Sequence, residues 1–354
     1  MNSKKWCLCA LSLWLVLLVC CAMLTGIIDP FFHYHAPLEQ LEYPLNNQRY
    51  QNDGITRNFS YDALITGTSM AENFKTSEFD ALFDCDTIKV CYSGGTYEEI
   101  TSNLQKSLER NPDIRYVVYA IDEWFLFAGR DLILADGEYP TYLYDEKPFN
   151  DVKYLLNKEI LFSNSLEVLD YTCQGGKTTS FDAYSSWDTP GGRDVLLSGY
   201  GRPEKAPSPT AFTQDLADTL RTNLETNLLT LAESYPDTQF LLFFPPYSIL
   251  NWDAHNREGT LELYIDAMTL ASEILTQADN IQLYSFYTDF ATCTDFDNYC
   301  DIVHYHAGIN SLLLQRMRNQ EYRLTRDNYL LHWEEVREFY NNYDYEAIFS
   351  DTAD

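Results

Sequence analysis

Basic side chains are scarce in this sequence of 354 residues. It contains 24 lysines and arginines against 53 aspartates and glutamates, which gives a formal net charge of −29 at pH 7. A surface this negative repels nucleic acid and anionic lipid headgroups. The composition therefore excludes nucleic acid as a partner, and it fits a domain outside the membrane whose substrate is neutral or is reached despite repulsion.

Common metal and redox motifs are also missing. No Cys-x-x-Cys pair occurs, so the sequence indicates neither a zinc site of that kind nor a redox centre. Asp295, Asp297, Asn298 and Asp301 crowd one loop, but they lack the glycine and the distal glutamate of an EF-hand calcium loop. We therefore expect no metal and no cofactor.

The nine cysteines fall into two groups, and five of them follow the N-terminal apolar stretch: Cys85, Cys91, Cys173, Cys293 and Cys300. In an oxidising compartment two bridges and one free thiol could form, and Cys293 with Cys300 could close the loop before Asp301. In the alternative, all five are reduced and buried as small apolar side chains. The sequence leaves both alternatives open.

Charged residues are absent from Trp6 to Ile28. A run of about 23 residues is long enough to cross the hydrocarbon core of a bilayer as a helix. Lys4 and Lys5 precede it, so the N-terminus should stay in the cytoplasm with the C-terminal domain extracellular. A cleaved signal peptide is the alternative, but the run is long for one and lacks a small-x-small cleavage site. We expect a single-pass signal anchor, with residues 6–28 in the lipid bilayer of the cell membrane.

Strands and helices alternate after residue 60. Apolar runs of strand length cover residues 61–66, 87–92, 115–121, 240–244 and 281–286. Helical spacing of apolar residues covers 96–110, 213–235, 260–278, 308–318 and 329–349, and a further helix is expected after residue 76. This order predicts an α/β domain with a parallel sheet and helices on both faces, a three-layer α/β/α arrangement of the flavodoxin-like type.

The same pattern divides the chain into four predicted parts. Residues 1–28 are the cytoplasmic tip and transmembrane anchor, 29–59 a juxtamembrane connector, 60–320 the α/β domain, and 321–354 a C-terminal helical extension. Between 128 and 210 the alternation stops, and glycine and proline mark loops. A long insertion in a compact domain is usually functional or mobile, so we predict a lid or substrate-binding flap, with surface decoration as the alternative.

One serine occupies a position that suits a nucleophile. Ser69 closes the turn Gly67-Thr68-Ser69 directly after the first predicted strand. The carboxyl ends of parallel strands are where ligands bind in open α/β sheets, and backbone N–H groups there can stabilise an oxyanion. For this tripeptide alone, ordinary turn chemistry is the alternative explanation.

A histidine with a carboxylate near it lies towards the other end of the domain. Asp301 and His304 share a loop between a strand-like run and a helix-like run. A histidine beside a serine can take its proton, and a carboxylate on the second ring nitrogen fixes the tautomer and stabilises the imidazolium. We therefore predict Ser69, His304 and Asp301 as a catalytic triad.

These motifs, in this order, resemble the SGNH/GDSL esterase superfamily, in which a serine after the first strand partners an Asp-x-x-His motif near the C-terminus. That spacing selects His304 over His306. Gly94 and Gly95, after the second predicted strand, resemble the block whose glycine N–H helps to form the oxyanion hole. The resemblance covers roughly residues 60 to 320 and implies an SGNH-type fold with serine ester chemistry.

The sequence departs from the superfamily after the third strand. There the family has Gly-x-Asn-Asp, whose asparagine amide donates to the oxyanion, whereas this chain has Ala120-Ile121-Asp122-Glu123. An ionised Asp122 would repel an oxyanion. Three explanations stay open: the carboxyl is kept protonated, it has another task, or the hydrolytic chemistry is altered or lost.

Aromatic residues predicted on loops near Ser69 are candidates for substrate contact, namely Trp124, Trp252 and His255. Trp187 also falls on a predicted loop at this edge, and residues 244–248, after the fourth predicted strand, are expected to shape the wall of the pocket. Exposed aromatic faces suit sugar rings, and buried packing explains the tryptophans equally well.

The resemblance extends to membrane-anchored relatives, among them O-acetyltransferases of exopolysaccharides and the protein that helps to D-alanylate teichoic acids. It implies an extracytoplasmic serine esterase or O-acyltransferase that acts on acyl groups of a cell-envelope polysaccharide or a teichoic-acid-type polymer, with envelope-synthesis proteins as partners. The alternative is a catalytically inactive SGNH-like module that binds glycan or assembles with envelope proteins, and Asp122 favours it.

Overall fold

The computed structural model describes residues 3–129, 132–133 and 139–350. The chain forms two compact units, one of Met1–Ser60 with Ala135–Ser185 and one of Tyr61–Leu134 with Ser186–Asp354. Residues 130–131 and 134–138 of the predicted insertion lie outside the described residues. The sequence pattern did not predict that the rest of this insertion, as far as residue 185, packs with the N-terminal segment.

A six-stranded sheet organises the second unit. Its strands are β1 Ala63–Thr66, β2 Thr87–Lys89, β3 Tyr116–Ala120, β4 Gln239–Phe244, β5 Ile281–Ser285 and β6 Arg323–Leu324. Their order across the sheet is β2-β1-β3-β4-β5-β6; the first five are parallel and β6 is antiparallel to β5. The prediction of an α/β fold is therefore confirmed, and the sheet is mixed rather than purely parallel because of the short strand β6.

The order of the parallel strands determines where a ligand site can form. An order of 2-1-3-4-5 reverses direction between β1 and β3, and ligands of such sheets bind in the crevice at that switch point, outside the carboxyl ends of the strands. All four residues of β1 are buried, as expected for a parallel strand covered on both faces. Ser69 follows the end of β1 by three residues, and Asp122 follows the end of β3 by two.

Helices and helical turns connect these strands. Those of the second unit are Ser69–Ala71, Thr76–Phe83, Tyr97–Arg110, Glu123–Phe125, Arg193–Gly199, Gln214–Leu224, Glu225–Leu229, Thr230–Ser234, Ile249–Glu258, Leu261–Leu275, Phe286–Thr288, Phe290–Thr294, Phe296–Asn298, Ala307–Arg318, Tyr329–Asn342 and Ala347–Ser350. The five helices predicted between residues 96 and 349 are present, although the last ends at Asn342. Ile249–Glu258 corrects the expectation of a loop there; Gly259, with φ of +72°, ends this helix in the left-handed conformation.

The first unit begins with the helix Ser3–Ile28, which is long and apolar enough to cross a membrane and is buried only at its C-terminal end, at Thr25 and Ile28. Its other helical segments are Gln48–Asn58, Thr141–Leu143, Val152–Leu155, Ile160–Asn164 and Ser165–Cys173. Asp29, directly after the first helix, accepts hydrogen bonds from the backbone N–H groups of His33, Tyr34 and His35 and from the hydroxyl of Tyr154. The end of the apolar helix is therefore fixed to residues more than a hundred positions later.

Candidate functional site

The turn that carries Ser69 depends on a glycine. Gly67 has φ of +140°, and a Cβ at this position would lie 3.0 Å from the Cβ of Ala120 and 3.2 Å from that of Ala71. Only glycine adopts this conformation without strain and lets the end of β1 pass so close to the end of β3. Thr68 then caps the helical turn Ser69–Ala71, because its hydroxyl accepts from the N–H of Met70 at 3.4 Å. Ser69 is thus the first residue of this turn.

A second tight loop presents His304. The N–H of Cys300 donates to the carbonyl of His304 at 2.9 Å, which closes the loop. Within it, Asp301 Oδ1 accepts from the N–H groups of Val303 and His304, each at 2.8 Å. The Asp-x-x-His spacing is therefore also a turn motif, in which one carboxylate oxygen holds the backbone and the other remains for the imidazole.

The structure brings the three predicted catalytic residues together. Ser69 Oγ lies 2.8 Å from His304 Nε2, and His304 Nδ1 lies 2.8 Å from Asp301 Oδ2. Ser69 and His304 are separated by 235 positions in the chain. Both distances are ordinary for hydrogen bonds, so the imidazole is placed to take the serine proton through one nitrogen while the carboxylate holds the other.

Electrostatics of the loop support this arrangement. Burial by itself would lower the pKa of His304, but the hydrogen bond and charge of Asp301, together with the charges of Asp122 and Glu72, raise the pKa above its ordinary value. Burial would raise the pKa of Asp301, and the bonds from His304 and from two backbone N–H groups outweigh it, so that this pKa is lowered. The carboxylate is ionised and stabilises the protonated imidazole.

Asp122 lies next to the nucleophile turn and is buried. Its Oδ2 accepts from the hydroxyl of Thr68 at 2.6 Å, and its Oδ1 accepts from the hydroxyl of Tyr247 at 2.6 Å. Burial raises its pKa to about 6, against the two hydrogen bonds that favour the ionised form. Because both oxygens accept hydrogen bonds, Asp122 holds Thr68 and the turn that begins at Ser69. Of the three explanations left open by the sequence, the contacts favour another task.

The two glycines after β2 differ in what their backbone can offer. The N–H of Gly95 donates to the carbonyl of Tyr92 at 2.7 Å, so it already has a partner in the turn. A Cβ on Gly95 would lie 2.5 Å from the Cβ of Tyr92, which explains the glycine by close packing. Gly94 is exposed and has φ of +58°. Of the two glycines, Gly94 is therefore the better candidate for an oxyanion donor.

Trp187 covers the triad. Its ring stands edge-on to the imidazole of His304 with 5.0 Å between centroids, and its Nε1 donates to Glu72 Oε2 at 2.7 Å. Its backbone N–H donates to Asn73 Oδ1 at 2.8 Å. The small cavity that Trp187, Ser69 and His304 line together has no room for a water molecule, and Ser69 itself is half-buried. The predicted insertion therefore reaches the candidate site through this residue.

The three residues proposed for substrate contact lie in different surroundings. Trp124 is 54% exposed. Trp252 is fully buried and stacks on Tyr340 with 3.9 Å between ring centroids, so it belongs to the core and not to a substrate surface. His255 is also buried, and its ring lies 2.8 Å from Glu123 Oε1 and 2.9 Å from the Thr260 hydroxyl. The helix Ile249–Glu258 turns both side chains inward, which corrects the expectation for Trp252 and His255.

Sequence reasoning assigns no role to Thr68. It predicts Tyr247, three residues after β4, only as part of the pocket wall, and Trp187 only on a loop at the same edge of the sheet. It does not predict their contacts with Asp122 and His304, because neither pairing leaves a local pattern in the sequence. The five cysteines beyond residue 28 are all free, and the Cys293 thiol faces the carbonyl of Phe286 rather than Cys300.

A comparison with models of known protein families finds no match, and a search of curated proteins finds none either. The case for a function thus depends on the geometry of the site.

Proposed function

We propose that this chain is a membrane-anchored serine esterase or O-acyltransferase of the SGNH type, with Ser69 as nucleophile. The observation that carries the proposal is the contact chain from Ser69 Oγ through His304 to Asp301, with 2.8 Å at each step. It lies at the carboxyl edge of the sheet beside the switch point, where α/β enzymes bind their substrates. The strand order also supports the finer expectation of a three-layer, flavodoxin-like arrangement.

In this proposal His304 acts first as base and then as acid. Ser69 Oγ attacks the acyl carbonyl carbon while its proton passes to His304 Nε2, and Asp301 stabilises the imidazolium. The N–H groups of Ser69 and Gly94 receive the carbonyl oxygen as it becomes negative. When the ester C–O bond breaks, the proton on His304 passes to the departing alcohol, and an acyl-serine remains. Water or a second hydroxyl, deprotonated by His304, then releases the acyl group.

The location of the reaction is part of the proposal. Lys4 and Lys5 at the start of the helix Ser3–Ile28 favour a cytoplasmic N-terminus, with the catalytic unit extracellular. A carbohydrate polymer of the cell envelope that bears acyl groups would then be the substrate. The exposed indole of Trp124, two residues after Asp122, is a surface on which a sugar ring could pack.

The second candidate function is a non-catalytic glycan-binding or assembly module of the envelope. Asp122 favours it, because a buried carboxylate stands where the superfamily has an amide donor. The narrow space under Trp187 favours it as well. In such a module the triad residues would contribute packing and hydrogen bonds only.

Labelling by a fluorophosphonate separates the two functions. We would treat the full-length chain in detergent micelles with the probe, beside Ser69→Ala and a matched control, Ser93→Ala, in which an exposed serine after β2 is changed. Labelling that disappears in Ser69→Ala and persists in Ser93→Ala supports the enzyme. An unlabelled parent at every pH where His304 is neutral would support the module.

A further inference from the structure

A second cluster of reactive side chains lies beside the triad. Asp188 Oδ1, Cys300 Sγ and His306 Nδ1 converge from two segments of the chain. The Cys300 sulfur lies 3.2 Å from Asp188 Oδ1 and 3.2 Å from His306 Nδ1, and the last two atoms are 2.6 Å apart. Carboxylate, thiolate and imidazole are the ligand types that Zn²⁺ takes in proteins.

The spacing of the three atoms suits a metal ion. A triangle with sides of 3.2, 3.2 and 2.6 Å has a circumradius of about 1.8 Å, so a point about 1.1 Å above its plane lies about 2.1 Å from every corner. Zinc binds nitrogen and oxygen at about 2.0–2.2 Å and sulfur at about 2.3 Å. For tetrahedral geometry the Asp188 oxygen and the His306 nitrogen, 2.6 Å apart, would have to separate to about 3.4 Å, a side-chain movement of less than about 1 Å. Three protein ligands also leave the fourth tetrahedral position open for water.

The surrounding backbone holds the ligands in place. Asp188 belongs to a strap, residues 186–192, whose Gly192 N–H donates to the carbonyl of Tyr299 at 3.1 Å. A Cβ on Gly191 would lie 1.8 Å from that carbonyl oxygen and 2.8 Å from His306 Nε2, so only glycine permits this approach. Burial and the neighbouring Asp188 raise the pKa of the Cys300 thiol, against hydrogen bonds from Thr189, so the thiol holds its proton until an ion displaces it.

We propose that Asp188, Cys300 and His306 form a binding site for a divalent transition metal ion, with Zn²⁺ the best match. Thiolate with imidazole favours zinc over magnesium or calcium, which prefer oxygen ligands. Binding releases the thiol proton of Cys300 to solvent. The ion would tie the strap to the loop Cys300–His306, and through the neighbouring Trp187 it would hold the cover on the triad.

Cobalt reports on such a site directly. We would strip the full-length chain in detergent of metal and titrate it with Co²⁺, expecting a thiolate-to-cobalt charge-transfer band that saturates at one equivalent and is displaced by Zn²⁺. Cys300→Ser should abolish the band, whereas Cys293→Ser, a buried cysteine of the same region, should retain it. Asp188→Asn changes an exposed side chain and should weaken binding by more than about tenfold.

Two results would overturn the metal site: no band in the parent, or a band that Cys300→Ser retains, which would assign it to other cysteines. All variants are to be compared by circular dichroism with the parent, and Asp188→Asn keeps the test valid should Cys300→Ser misfold. Ser69→Ala should bind Co²⁺ like the parent, so failure of the proposed enzyme leaves this measurement intact.

A second inference comes from the first unit. An interfacial segment, residues 149–166, exposes large apolar side chains at Phe149, Val152, Leu156, Phe162 and Leu166. Val152 and Leu156 are four positions apart at the short helix Val152–Leu155 and its C-cap, and Phe162 and Leu166 are four apart across the junction of two consecutive helical segments. Phe149 is 94% exposed and Phe162 is 65% exposed. Such a concentration of exposed apolar groups marks an interaction surface.

This segment lies against the end of the apolar helix. A Cβ on Gly26 would be 3.4 Å from Leu155 Cδ2, and the Tyr154 hydroxyl donates to Asp29 Oδ1 at 2.7 Å. The helix Ser3–Ile28 rises about 39 Å, more than the roughly 30 Å of a hydrocarbon core. Its C-terminal end and the segment packed on it therefore come to the bilayer surface, if the helix spans as proposed above.

We propose that the interfacial segment inserts its apolar face into the outer leaflet beside the anchor. Phe162→Trp and Leu166→Trp should be quenched by brominated acyl chains in phosphatidylcholine vesicles that contain only this protein. Glu167→Trp is the matched control and should be quenched less, because Glu167 is the exposed acidic neighbour of Leu166 and its carboxylate accepts a hydrogen bond from Asn46. For each variant, the quantity compared is the increase in quenching of tryptophan fluorescence over that of the parent.

The native anchor tryptophans distinguish the two ways to fail. Trp6 and Trp14 should be quenched in the parent; an unquenched parent would refute the anchor itself. If the parent is quenched but Phe162→Trp is quenched no more than Glu167→Trp, only the lipid contact of the segment is refuted. A membrane protein would then be the expected partner of this surface.

Discussion

Replacing Asp301 with asparagine tests the proposed triad at its most specific point. The two carboxylate oxygens of Asp301 have different partners: Oδ1 accepts from two backbone N–H groups, of Val303 and His304, and Oδ2 faces His304 Nδ1. An amide nitrogen cannot accept a hydrogen bond. The single oxygen of the asparagine must therefore stay on the backbone, and its NH2 group must face the imidazole.

That orientation imposes the wrong tautomer. The amide donates to Nδ1 of His304, so Nε2 carries the ring proton and points it at Ser69 Oγ, which lies 2.8 Å away. Nε2 can then no longer take the serine proton. The same change in a serine protease triad lowers turnover about 10⁴-fold. We expect Asp301→Asn to slow fluorophosphonate labelling by about 10³- to 10⁴-fold.

Loss of the Asp301 charge has a second effect: it lowers the pKa of His304 and so shifts the pH dependence of labelling to lower pH. Unit charges 2.8 Å apart interact by about 1.5 kcal/mol at the dielectric constant of water, or about one pKa unit. The water value applies because the side chain of Asp301 is half exposed. In the parent, labelling rises with pH through the raised pKa of His304. In Asp301→Asn this limb should lie about one pH unit lower.

The assay is the second-order labelling rate of the full-length chain across pH. Asp295→Asn is the matched control, since Asp295 also accepts a backbone N–H in the same region, that of Asp297, but faces no histidine. Its rate should equal that of the parent. Labelling of Asp301→Asn within about threefold of the parent would refute the tautomer argument, because the wrong tautomer should cause a much larger loss.

Three further predictions follow from the site and the core. Burial raises the pKa of Asp122 to about 6 from an ordinary value of about 3.9, so the folded state binds its proton more tightly and loses about 3 kcal/mol of stability as pH rises from about 4 to above 6. Asp122→Asn lacks this loss, so in urea unfolding its free energy of unfolding relative to the parent should rise by about 3 kcal/mol between those pH values. A difference in free energy that stays constant with pH would contradict the effect of burial. Trp187→Ala should speed labelling by a bulky fluorophosphonate by about tenfold or more, because it removes the cover on the nucleophile, whereas the exposed Trp124→Ala should not. Trp252→Ala should lower the free energy of unfolding by about 3–5 kcal/mol and leave the labelling rate per folded molecule unchanged. A large change in that rate would show that Trp252 contributes to the site.

Much of the sheet could be predicted because its strands are apolar runs. Parallel strands covered on both faces bury nearly every side chain, so β1, β3 and β4 stand out without any alternation. The position of Ser69 followed from the rule that ligand sites form at carboxyl ends of such strands. The Asp-x-x-His spacing of Asp301 and His304 was informative because it is a local turn whose hydrogen bonds require that spacing.

The missed elements lack a local pattern. The helix Ile249–Glu258 buries six of its ten residues, and three of these are polar: Asn251, Asp253 and His255. Its sequence therefore lacks the alternation of apolar and polar faces that would predict a helix. Strand β6 is two residues long. The packing of residues 139–185 onto the N-terminal segment depends on contacts such as Tyr154 with Asp29, 125 positions apart. Trp187 likewise reaches Glu72 across 115 positions. Such pairings depend on tertiary structure alone.

Asp122 decides how fast the proposed enzyme can be. Its charge raises the pKa of His304 and so favours the imidazolium that forms as Ser69 attacks, but the same charge opposes the oxyanion that forms at that moment. Both of its oxygens accept hydrogen bonds, from Thr68 and Tyr247, so the carboxylate offers the oxyanion no donor. Loss of one oxyanion donor costs about 10²–10³ in rate. Hydrolysis and transfer both pass through this oxyanion, so the lower rate is expected for the esterase and for the transferase form of the proposal alike.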